Sequence, residues 1–333
     1  MADAANPATE EPRPPIGVAL ELDLARPDAL LSLALLNGLN AQTRARRIAL
    51  SVTRPSLVAA QLADVIAEYY SSLPANWGYA TIGMPEGGST SPEPQLSALL
   101  ARKNPEGAPL YPTRVRRLED TADSATLLRN LMLAEQDGNV ALVLAGAATG
   151  LSRLLDLYGA PAQIRAKVKL LVVAAPEAVV ASDVRAARRV FAEWPTPIVA
   201  VAAEFGEALR FPGKVVQEML AATPEHPVAA AYAALARMPY DAPSTALAAL
   251  LYAAQPEGDE VRLSEAGTIS VQDNQRTRFT PSANGSHRYL LANPARAQSL
   301  LAQYTSLVSA PPVPRPVIKR KPPAEPPAAA KAT

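Results

Sequence analysis

The chain has 333 residues, 49% of them hydrophobic, a formal net charge of +1 and no cysteine. That length and apolar content suffice for one large α/β core, and the near-neutral charge points away from a polyanionic partner such as nucleic acid. Without cysteine, disulfides, thiolate metal sites and a cysteine nucleophile are excluded. No apolar run is long enough to span a bilayer, and Met1 to Pro15 lacks the basic start and apolar centre of a signal peptide. A cytoplasmic protein is expected, with secretion left open if a signal has been removed.

In chain order, residues 1–15 (MADAANPATEEPRPP) are too polar to pack and are read as a disordered N-terminal segment. Strands are predicted near 16–23, 47–53, 79–84, 139–146, 169–175 and 197–203. Helices are predicted near 27–39, 55–72, 119–136, 149–158, 183–192, 214–222 and 227–237. This alternation predicts a mostly parallel central sheet with helices on both faces, whose ligands would sit beyond the carboxyl ends of the strands. Residues 83–112, rich in Gly, Ser and Pro, are expected as a loose segment over that edge. Residues 261–271 and 276–279 alternate like a small antiparallel pair turning at Asp273-Asn274. The domain is placed at 16–308, and Ser309 to Thr333 reads as a Pro-rich disordered tail. In that tail, Pro311 to Pro316 suits an aromatic groove and Lys319-Arg320-Lys321 an acidic surface.

The first strand ends in Glu21-Leu22-Asp23, and the first helix starts Pro27-Asp28. Pro27 fits the first helical position, and Asp28 in the first turn meets the positive end of the helix dipole. Further on, the strand Asn139 to Gly146 leads into Ala147-Ala148-Thr149-Gly150, and Lys169 to Ala175 forms another strand. Glu177-Ala178-Val179-Val180-Ala181-Ser182-Asp183 precedes a helix, and Met238 to Ala246 lies near the end. In order and spacing these segments resemble the inosine/uridine-preferring nucleoside hydrolase family, over residues 16 to 292. The family carries DxDPGxDDAL at the first strand and GPLTN, Met-Gly-Gly and ExNxxxD at the later segments.

The resemblance implies a nucleoside-hydrolase-like α/β fold and a chemistry. Family members hold a Ca²⁺ that binds a water and the ribose diol; a carboxylate takes the water's proton, and attack at the anomeric carbon releases the base. Carried over, Asp23 would be metal ligand and general base, Asp28 a bidentate metal ligand, and Thr149 a ligand through its main-chain carbonyl. Glu177 would face the ribose. Three further positions depart from the pattern: Pro27 replaces a ribose-clamping aspartate, Val179 a ribose-binding asparagine, and Ala246 a metal-binding aspartate. The Met-Gly-Gly turn is Val173-Ala174-Ala175 here.

The expectation is therefore a degenerate member with an eroded metal and ribose site, needing no cofactor and acting in binding or assembly. The alternative is a Ca²⁺-dependent N-ribohydrolase using Asp23, Asp28 and Thr149, with Asp241 or Glu204 as substitute ligand. A homo-oligomer or a protein partner at the Pro-rich tail is expected, with a nucleoside or riboside as candidate ligand. Other catalytic solutions find no support. His226 and His287 have no nucleophile and carboxylate arranged nearby, no GxSxG elbow is present, and Gly83, Gly87 and Gly88 match no phosphate-binding pattern. Trp77, Tyr79 and Trp194 are expected to pack in the core or under loops.

Overall fold

A computed structural model describes residues 14–71, 81–86 and 93–314. The first half runs β1 (Ile16–Leu22), α1 (Pro27–Ala41), β2 (Ala45–Val52), α2 (Leu57–Tyr69), β3 (Ile82–Met84), α3 (Pro94–Leu100), β4 (Ala122–Asp123) and α4 (Ser124–Leu133). It continues through β5 (Val140–Ala145), α5 (Thr149–Leu154), α6 (Ala160–Lys167), β6 (Val168–Ala174), α7 (Pro176–Ser182), α8 (Val184–Glu193), β7 (Ile198–Val201) and α9 (Ala203–Ala208). Then follow α10 (Gly213–Ala222), α11 (Pro227–Leu235), α12 (Thr245–Ala254), β8 (Val261–Leu263), β9 (Gly267–Val271), β10 (Thr277–Pro281), β11 (His287–Ala292) and α13 (Ala297–Val308).

The strands lie in the order β10-β9-β11-β7-β6-β5-β1-β2-β3-β4, with β8 beside β11. Every pair from β11 through β7 to β4 is parallel, whereas β9 with β10 and β8 with β11 are antiparallel. The mostly parallel sheet and the antiparallel group near the C-terminus are thus both present. One face is covered by α1, α2, α11, α12 and α13, the other by α4, α5, α6 and α8. Parallel strands buried on both faces read as continuous apolar runs, and VALVLA in β5 is buried throughout.

Several elements differ from the sequence expectation. The helix expected over 119–136 is the shorter α4, because Asp123 caps it by accepting from Thr126 N at 3.0 Å. Within 83–112, Gly83 belongs to β3 and Pro94–Leu100 is a helix, with Leu96 and Leu99 buried. Two turns of helix give too little periodicity to stand out among Gly, Ser and Pro. The buried α12 (TALAALLYAA) was also missed, since a helix apolar on all sides has no amphipathic stripe. Trp77, Tyr79, Gly87 and Gly88 lie outside the described residues, as does most of the tail. Trp194 is buried and donates from Nε1 to Thr196 Oγ1 at 2.9 Å.

The chain ends are tied to the fold where they enter and leave it. Pro15 O accepts from Arg46 Nε, and Asn37 Nδ2 on α1 donates to Ala310 O and Pro311 O. Both histidines hold backbone. His226 caps α11, its Nδ1 accepting from Ala229 N while Nε2 meets Tyr70 Oη at 3.2 Å, and His287 Nδ1 accepts from Ile269 N at 2.9 Å.

Helix α1 crosses α13 at Gly38, where a β-carbon would stand 2.3 Å from Leu307 O. Backbone on both sides leaves no room to yield. Gly38→Ala should lower stability by about 1–3 kcal/mol in urea melts, the usual cost of overpacking; an unchanged midpoint would mean that the two helices can part freely.

A second expectation concerns pH. Burial pushes the His226 imidazole down to about 4, below the ~6.5 of an unfolded chain. Between those values the unfolded state binds more protons, so stability falls as pH drops from about 6.5 to about 4. His226→Asn, which can still cap α11, should flatten part of that slope; an unaltered slope would move the proton uptake to other groups.

Candidate functional site

The carboxyl ends of β1 and β2 are adjacent in register, Leu22 beside Val52. Asp23 and Arg54 therefore emerge from neighbouring strands within reach of one another. Arg54 Nη2 donates to Asp23 Oδ1 at 2.6 Å, and the same oxygen accepts from Ala25 N at 3.2 Å. The guanidinium also lies 3.9 Å from Glu93 Oε1, and Glu93 Oε2 accepts from Ser56, the residue capping α2. Asp23 and Glu93 thus share one arginine.

Asp28 is the second residue of α1 and 2% exposed. Its carboxylate is engaged from three directions. Arg26 donates through Nε and Nη2 at 3.3 and 3.0 Å, Ala29 N at 3.1 Å, and Ala246 N at 3.0 Å. Ala246 is the second residue of α12, so Asp28 bridges the N-termini of two helices, where backbone N–H groups lack partners and the dipole favours an anion. Asp28 and Ala246 do meet, but position 246 contributes a donor where the family pattern has a carboxylate.

The remaining predicted residues are engaged elsewhere. Thr149, at the start of α5, donates from Oγ1 to Asp183 Oδ2 at 2.7 Å, while Asp183 Oδ1 caps α8 through Ala186 N. Glu177 projects from the first turn of α7, which is entered through Ala175 at φ +54°, and accepts from Thr277 Oγ1 on β10. Val179 is 1% exposed and packs in the core under α7. Of the two substitute ligands considered, Asp241 accepts from Gly213 N at 2.8 Å and so caps α10, and Glu204 sits exposed in the first turn of α9.

Beside these carboxylates lies an open cavity of about 340 Å³, lined by Ala25, Pro27, Glu93, Leu96, Leu235 and Tyr240. Pro27 offers it neither a carboxylate nor a backbone N–H. A further buried acid, Glu21, lies two residues before Asp23; burial pushes its carboxyl up to about 8, with Ser51 opposing the shift and Asp123 adding to it. Among the described residues no group of three His, Asp or Glu side chains is arranged to hold a metal ion.

The residues that sequence reasoning passed over are Arg26, Arg54 and Glu93. Arg26 lay in plain view two positions before Asp28, within side-chain reach across a helix start. Arg54 required the β1–β2 register, which no local pattern supplies.

No protein-family model and no curated protein matches the sequence. The fold does match solved structures. It resembles the inosine–uridine preferring nucleoside hydrolase from Bacillus anthracis with a TM-score of 0.60 at 16% identity, over 88% of this chain and 99% of that one. The purine-preferring ribonucleoside hydrolase from Gardnerella vaginalis matches with a TM-score of 0.64 at 13% identity, over 88% and 98%. The type III effector protein XopQ, solved in complex with adenosine diphosphate ribose, matches with a TM-score of 0.62 at 14% identity, over 91% and 96%. The chain therefore has a nucleoside-hydrolase-like fold.

Because Asp28 joins α1 to α12, Asp28→Ala should cost about 3 kcal/mol, leaving Arg26 and two helix N–H groups without their acceptor. Thermal unfolding reads the loss directly. A change below about 0.5 kcal/mol, typical of exposed positions, would mean that the carboxylate does not hold the helices together.

Proposed function

We propose that this chain is a non-catalytic nucleoside-hydrolase-like protein, which uses the fold for binding or assembly and not for calcium-dependent hydrolysis. The observation that carries the reading is the pairing of Asp23 with Arg54 and of Asp28 with Arg26. Calcium takes about six to eight oxygen ligands, several of them carboxylates. The residues present do not fit such an ion: each carboxylate already has a cation, and Ala246 N–H donates to Asp28. Placing Ca²⁺ there would require breaking two ion pairs and setting a dication beside two guanidinium groups.

The same substitutions weaken the sugar site. Pro27 has neither carboxylate nor backbone donor for a ribose hydroxyl, and Val179 is an apolar core residue. The cavity beside Pro27 has the volume for a small ligand, and a riboside of the kind held by the effector neighbour is the candidate class. Among the described residues no helix is long and apolar enough to cross a membrane. A second copy or a protein partner at the Pro-rich tail remains the candidate for assembly.

The reading is tested by calorimetric titration with Ca²⁺ alongside chromatography of inosine and uridine incubated with the protein. The account expects no binding tighter than about 1 μM, where strong protein sites lie, and no free base. Calcium-dependent base release that Asp23→Ala abolishes would overturn it and establish the alternative N-ribohydrolase, built on Asp23, Asp28 and Thr149.

A further inference from the structure

We infer that the cavity beside Pro27 binds the ammonium group of a small primary amine, held between the Glu93 carboxylate and the C-terminal end of α11.

The inference deepens the proposed binding role and rests on it, because the closed Asp23–Arg54 pair is what leaves Glu93 without a full counter-charge. Three acids, Asp23, Asp28 and Glu93, face two cations, Arg26 and Arg54. Arg26 is engaged by Asp28, and Arg54 donates to Asp23 at 2.6 Å while its Nη2 stands 3.9 Å from Glu93 Oε1. Glu93 Oε2 accepts from Ser56 Oγ, and Oε1 accepts from no described residue. One negative charge thus remains at the cavity wall, on a side chain only 5% exposed.

The end of α11, Leu235 with the following Ala236, forms another part of that wall. The last carbonyls of a helix lack intrahelical donors and carry the negative end of its dipole. Tyr232 O accepts from Tyr240 Oη, but among the described residues no backbone N–H after Leu235 returns to the last turn. Arg237, the next charged residue along the chain, is exposed and does not line the cavity. Tyr240 does line it, with its ring stacked on Tyr232 at a centroid distance of 4.3 Å, and aromatic rings attract cations.

A carboxylate, a helix C-terminus and an aromatic ring all favour positive charge, and no lining residue is cationic. The wall is also rich in acceptors and poor in donors. Tyr240 Oη already donates to Tyr232 O, which leaves the Gln95 amide as the free side-chain donor among the lining residues. A primary ammonium brings three N–H donors and no acceptor, which a quaternary ammonium does not. Leu96, Leu235 and Pro27 give an apolar body its place, and about 340 Å³ lies at the small end of ligand cavities.

The test titrates the full chain, in calcium-free buffer with EDTA at low salt, with 2-phenylethylamine, its neutral isostere 2-phenylethanol and the anionic 3-phenylpropanoate, each followed by ligand-observed NMR. The amine should bind about tenfold or more tightly than the alcohol, as expected for a charged over a neutral hydrogen-bonding group, and the carboxylate should bind most weakly. Glu93→Gln, which keeps the size and removes the charge, should abolish that preference. Gln95→Lys, at an exposed position on the rim, places a fixed ammonium beside Glu93 and should displace the amine. Should Glu93→Gln fail to fold, Gln95→Lys carries the test alone. Equal binding of amine and alcohol, binding of none of the three, or a preference for the amine that survives the substitutions would each overturn the proposal. Because the titration excludes calcium, its failure is read apart from that of the calcium experiment.

Discussion

Asp28 is the contact on which the rest of the site depends. A carboxylate 2% exposed is tolerable only when its oxygens are fully engaged, and here an arginine and two helix N-terminal amides engage them. The contact fixes the start of α12, which packs on β5 and β6, against the start of α1, which packs on β2. Placing those helix ends also places Pro27 and Ala25 at the rim of the cavity. A residue that could serve a metal thus serves architecture, and the geometry of the cleft follows from that role.

Asp23 repeats the logic with a different partner. Arg54 lies between Asp23 and Glu93, so one guanidinium neutralises parts of two acids that would otherwise repel each other across a partly desolvated cleft. The consequence for chemistry is general. A general base must be free to take a proton and a metal ligand must offer a lone pair, whereas Asp23 Oδ1 already accepts from Arg54 and from Ala25 N. The apolar residues at Pro27, Val179 and Ala246 and the two ion pairs are the observations behind the proposed loss of the metal and ribose site, and each arises at a different position.

Much of the fold was legible in the sequence because its strands are short apolar runs punctuated by helix starts. Ile16–Leu22 and Val140–Ala145 read as buried strands, and Pro27-Asp28 reads as a helix start, from composition alone. What escaped was structure without a period. α12 is apolar on every side, and α3 is too short to show a stripe. At the site, Asp23, Asp28 and Ala246 were placed by motif order, and the structure brings Asp28 and Ala246 into contact. Arg54 was invisible because its meaning depends on which strand lies beside β1.

The central claim is that arginines, and not a metal, neutralise Asp23 and Asp28. A crystal structure of the chain grown with millimolar CaCl₂, with anomalous scattering used to locate calcium, tests it most directly. The account predicts Arg54 and Arg26 in hydrogen-bonding contact with the two carboxylates and no anomalous peak between them. A calcium peak bonded to Asp23, Asp28 and the Thr149 carbonyl, with the arginines turned away, would contradict it.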